Sequence, residues 1–69
     1  MIDQFLHSID QVQADGGVVL LKWDGVRAEK RCTVVISKAE LNYVWHQDSD
    51  DMADLLARAL EDYKATQGL

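Results

Sequence analysis

An α+β fold is predicted, a three-stranded antiparallel meander in the order α-β-β-β-α with two helices packed on one face. Three observations carry this reading: apolar residues at helical spacing near both ends, three short β-rich segments between them, and connections too short for parallel crossovers. At 69 residues the chain suits one small domain spanning 1–69, since two separate cores are rare at this length.

The first helix is expected over residues 2–14. Ile2, Phe5, Leu6, Ile9 and Val12 fall on one face of a 3.6-residue repeat, while Asp3, Gln4, Asp10 and Gln11 take the other. Asp15-Gly16-Gly17 ends it, because glycine readily adopts the left-handed conformation that closes a helix. Asp15 there faces the negative end of the helix dipole, a small cost.

Residues 17–23 and 32–37 are dense in β-branched and large apolar side chains, which favours strands. Asp24-Gly25 between them suits a tight hairpin turn that would pair Leu21 with Ala28 and Val19 with Lys30. A wider loop through residues 25–28 instead pairs Leu21 with Cys32 and Val19 with Val34. That arrangement gathers four apolar residues on one face and is preferred. A third strand is expected over residues 41–46, where Leu41, Tyr43 and Trp45 alternate with Asn42, Val44 and His46. Helical continuation through residues 38–43 is the alternative, because Ala, Glu and Leu form helices well.

The last helix, over about 49–66, is the clearest element. Met52, Leu55, Leu56, Ala59, Leu60 and Tyr63 follow the i, i+3, i+4, i+7 rule without a gap. Asp48 or Ser49 is expected to cap its start, and Lys64 with Gly68 to mark its close.

Composition narrows the function classes. The formal charge is −5, so the protein as a whole repels phosphate backbones. Hydrophobic residues make up 48% of the chain, enough to fold and outside the composition of disordered segments. The only cysteine is Cys32, which leaves no partner for an internal disulfide and suits a reducing compartment. With no basic leader before the apolar positions and no apolar run long enough to cross a bilayer, a cytoplasmic protein without membrane insertion is expected.

No motif points to chemistry. Asp48, Asp50, Asp51 and Asp54 cluster, yet counting from Asp48 a calcium loop would need Gly and Glu where Ala53 and Ala59 stand. Helix capping explains them better. Cys32 lies beside Lys30 and Arg31, which would favour a thiolate, but its alternation with Val34 and Ile36 reads as a small buried hydrophobe. His7 and His46 lack cysteine ligands or the spacing of a zinc site, although His46 can pair with Asp48. Gly16-Gly17 precedes a strand, so it cannot aim helix amides at a phosphate. Neither a catalytic residue, a metal, a cofactor nor a small-molecule substrate is expected.

Charge is distributed unevenly. Residues 1–15 sum to −3, residues 16–38 to +3 and residues 39–69 to −5, so a basic hairpin with Lys22, Arg27, Lys30, Arg31 and Lys38 sits between acidic helices. The hairpin can be satisfied by its own acidic neighbours, bind a protein or meet nucleic acid. The leading expectation is a non-enzymatic protein-interaction module, self-associating as a homodimer or binding another protein through Trp23, Arg27, Lys30, Arg31, Tyr43 and Trp45. Trp23 and Trp45 can equally serve as caps on the sheet core. Two alternatives remain: a nucleic-acid regulator in which Trp23 stacks on a base while Arg27, Lys30 and Arg31 meet phosphates, and an inhibitor whose acidic residues Asp50, Asp51, Asp54, Glu61 and Asp62 occupy a basic groove on a target.

Overall fold

Helix, three strands and helix follow one another as expected in the computed structural model, which describes residues 2–67. A 3₁₀ turn, Ile2–Phe5, leads into α1 (Leu6–Ala14). Then come β1 (Val18–Trp23), β2 (Cys32–Lys38), a 3₁₀ turn at Ala39–Leu41, β3 (Tyr43–Ser49) and α2 (Met52–Gln67). The sheet order is β1-β2-β3, antiparallel throughout. None of the described helices is long and apolar enough to cross a membrane.

Both helices lie on one face of the sheet. The helical repeat of α2 buries Met52, Leu55, Leu56, Ala59, Leu60 and Tyr63, which join Val12 of α1 and Cys32, Val34 and Ile36 of β2 in the core. Alternation along β2 explains the strand contribution, since every second side chain meets the helices. Ile2, Phe5, Ile9, Val19, Leu21, Tyr43 and Trp45 pack around this centre.

The start of the chain departs from a continuous helix. Its first turn is 3₁₀, with no side-chain cap at Phe5. In that tighter turn residues i and i+3 eclipse, which brings Ile2 and Phe5 together onto the core and leaves Leu6 52% exposed. At the other end of α1, Gly16 takes the left-handed conformation at φ 89°, and the Gly17 amide donates to the Val12 carbonyl at 2.9 Å. Asp15, unfavourable by its place at the helix end, accepts a 3.5 Å hydrogen bond from the Tyr63 hydroxyl of α2.

The hairpin register lies two residues beyond the wider-loop expectation. Val19 pairs with Ile36, Leu21 with Val34 and Trp23 with Cys32. The shift is even, so every side chain keeps its expected face. Its cause is the connection over residues 24–31, which is longer than either turn considered. The Asp24 amide donates to the Arg31 carbonyl at 2.7 Å. Arg31 returns its side chain to the loop, donating from Nε to the Asp24 carbonyl and from Nη2 to the Gly25 carbonyl. Lys30 turns the chain with φ 51°.

The third strand starts and ends later than residues 41–46. Asn42 adopts a left-handed conformation at φ 53° and separates Leu41, in the 3₁₀ turn, from the strand proper. Asp48 and Ser49 pair with Thr33 and Cys32 as part of β3, so neither caps α2. Asp51 does, accepting the Asp54 amide at 3.1 Å, while Ser49 Oγ accepts the Asp51 amide. Gly68, expected at the close of α2, lies outside the described residues.

Candidate functional site

Pairing places the side chains of the uncovered sheet face in three rows across the strands: Val18–Ser37–Val44, then Leu20–Val35–His46, then Lys22–Thr33–Asp48. The first two rows are mostly apolar, with Val18, Leu20 and Val44 exposed and Val35 half-buried beside half-buried Ser37 and exposed His46. The third is polar, and the loop folds over it. Thr33, only 6% exposed, donates its hydroxyl to Asp48. Arg27 approaches Asp48 at 3.4 Å and Asp24 at 3.5 Å, while Lys22 lies 3.6 Å from Asp24. His46 stands 4.0 Å from Asp48.

These contacts set the local electrostatics. The Thr33 hydroxyl, joined by the positive charge of Arg27, holds the Asp48 carboxyl below its ordinary value against an opposing effect of desolvation. Asp24 is lowered too, first because its Oδ1 accepts the Val26 amide. A carboxyl whose folded pKa is depressed contributes stability that is present above its unfolded value, near 3.8, and is lost as pH falls through the folded value. Asp48→Asn is therefore expected to flatten the loss of thermal stability below about pH 4. Melting temperatures of both proteins between pH 2 and 7 check this, and parallel curves would contradict it.

The residues expected to bind a partner divide into three groups. Trp23 is 59% exposed at the end of β1. Arg27 and Arg31 are committed within the loop, the former also donating to the Lys30 carbonyl at 2.9 Å; Lys30 itself is exposed. Tyr43 and Trp45 lie on the helix-covered face, half-buried against the core. Tyr43 meets Tyr63 edge to face at 5.6 Å and donates to Asp62 at 2.6 Å; burial first, then that carboxylate, pushes its hydroxyl pKa up.

The acidic residues proposed for a basic groove are also engaged: Asp50 accepts the Arg31 amide, Asp51 caps α2, Asp54 pairs with Arg58 at 3.1 Å, and Asp62 receives Tyr43. Glu61 is exposed. Cys32 is buried in the core. Among the described residues, no group of three or more His, Cys, Asp or Glu side chains is placed to hold a metal ion.

Sequence reasoning missed Val18, Leu20 and Val44 as surface residues. A signal was present, because Val18-Val19-Leu20-Leu21 is apolar at consecutive positions. In a two-layer fold only one face of a strand is covered, so half of such a run must remain outside.

The chain matches no protein-family model, and comparison with curated proteins and with solved structures gives no match.

Proposed function

We propose that this protein is a non-enzymatic, self-associating interaction module that works by surface complementarity. One observation carries the reading: β1 is an edge strand whose side chains are apolar on both faces, with Val18, Leu20 and Trp23 exposed. Edge strands of folded proteins are commonly guarded by charge, proline or a bulge, and β1 carries one such guard, a lysine held 3.6 Å from Asp24, on an otherwise apolar edge that invites a second chain. Lys22 is the one charged residue in β1. The neighbouring apolar rows extend the same surface, which favours a protein partner over an anionic polymer. The engagement of Arg27 and Arg31 within the loop supports the same choice, because their guanidinium groups already have acceptors.

Size-exclusion chromatography with light scattering tests this at several protein concentrations and two salt concentrations. The expected mass is twice the 7.8 kDa of one chain. Association driven by apolar contacts should persist at high salt, where exposed charge pairs are screened. A mass of one chain throughout would overturn the reading.

A further inference from the structure

We propose that two copies of this chain pair antiparallel through the free edges of β1, in a register that sets Leu21 opposite Leu21 on the two-fold axis. This rests on the self-association reading and names its surface. The backbone selects the register. The Asp24 amide bonds to Arg31 across the hairpin, and antiparallel strands alternate hydrogen-bonded with non-hydrogen-bonded pairs. Lys22, Leu20 and Val18 therefore direct their backbone groups towards β2, while Trp23, Leu21 and Val19 direct theirs to the open edge.

Pairing about Leu21 uses all three outward residues: Leu21 faces its own copy, and Val19 faces Trp23 on either side. Each strand thus satisfies the donors and acceptors of the other. The side chains agree. Trp23, exposed at the end of the helix-covered face, gains a β-branched neighbour directly opposite, a favourable cross-strand pair. On the open face Lys22 lies against Leu20, so no like charges oppose. A register centred on Leu20 would set Trp23 against Gly17, and one centred on Lys22 would set two ammonium groups face to face.

Helix α1 supplies an independent indication. Ser8 and Gln11 line a groove shared with Leu60 and Tyr63 of α2, which fixes the flank of α1 that meets α2. At about 100° per residue Leu6 falls on the opposite flank, towards the free edge, where it is exposed. The chain doubles back at Gly16-Gly17, and α1 packs against β1. A Leu6 side chain on that flank from each copy would border the new strand pair in a six-stranded sheet with all four helices on one side.

Disulfide trapping tests the register. In a Cys32→Ala background, Leu20→Cys and Lys22→Cys chains of different mass are mixed in equal amounts, oxidised gently and resolved without reductant, with the solution mass of the unmodified protein measured in parallel. Residues 20 and 22 are directly opposite in the proposed dimer, in a pair close enough for a disulfide, whereas each is too far from its own copy. A dimeric mass with the mixed 20–22 disulfide as the predominant product is expected. A dimeric mass with the Leu20→Cys homodisulfide predominating, or with no disulfide, overturns this pairing and leaves self-association standing. A monomeric mass at every concentration overturns both.

Discussion

Leu56→Asp is expected to abolish the cooperative thermal transition of this protein. Leu56 is 0% exposed, at the centre of the surface that α2 presents to the sheet. Replacing it removes the apolar contacts of a fully buried leucine, a loss of about 2–5 kcal/mol when the replacement is alanine. Aspartate adds a charge without a partner, whose desolvation costs several kcal/mol more unless the group takes up a proton. Domains of this size are marginal, with a total stability of about 5 kcal/mol or less. The substitution therefore exceeds what the fold can absorb. Far-ultraviolet circular dichroism on heating reads the result, with Leu56→Ala as the graded companion that should lower the midpoint while keeping a transition. A sharp transition retained by Leu56→Asp would show that α2 does not cover the sheet as described.

Gly17→Ala is expected to destabilise the fold by about 1–3 kcal/mol, the usual range for forcing an extra carbon into a packed core. A Cβ built on Gly17 would lie 2.6 Å from Cγ1 of Val12, 3.1 Å from the Val12 carbonyl oxygen and 3.4 Å from the Ser37 carbonyl oxygen. Val12 is 2% exposed, so its side chain has little room to retreat. The close approach is also what lets the Gly17 amide reach Val12 and reverse the chain from α1 into β1. At about 4–8 °C per kcal/mol for a small domain, the loss is readily measured as a fall in melting temperature. Gly25→Ala is the matched control, because a Cβ there meets nothing within 4 Å. Equal melting temperatures for Gly17→Ala and Gly25→Ala would contradict the tight packing at the end of α1.

Different levels of this structure were legible to different degrees, for physical reasons. Helix α2 was plain because burial along one stripe leaves a repeating pattern, and each apolar residue of that pattern is in the core. The face of each hairpin residue was also legible, since an even slip leaves alternation unchanged. The register itself was not. It depends on Arg31 reaching the Asp24 and Gly25 carbonyls, a contact made only once the loop has closed.

Leu41 continued the alternation of Tyr43 and Trp45, yet the left-handed backbone at Asn42 removed it from the strand. Local hydrophobicity carries no sign of that reversal. The same limit applies to the candidate surface. Tyr43 and Trp45 stand out in sequence as large aromatics, but helix cover places them beside the core. The aliphatic residues Val18, Leu20 and Val44 look in sequence like ordinary core. Their exposure follows from the sheet having helices on one side only.

The share of the core held by α2 bears on the order in which this chain can assemble. Met52, Leu55, Leu56, Ala59, Leu60 and Tyr63 all come from this helix, whereas the described residues before it contribute Val12 and three β2 side chains to the buried apolar set. Until α2 docks, Val34 and Ile36 lack most of the apolar cover that completes the core. The meander is thus a waiting template, and its completion depends on packing between β2 and α2, elements some twenty positions apart in the chain that share one core cluster. Such separations make closure of the intervening segment part of the kinetic barrier. During synthesis the sheet is made before α2, so its apolar face waits longest for its cover.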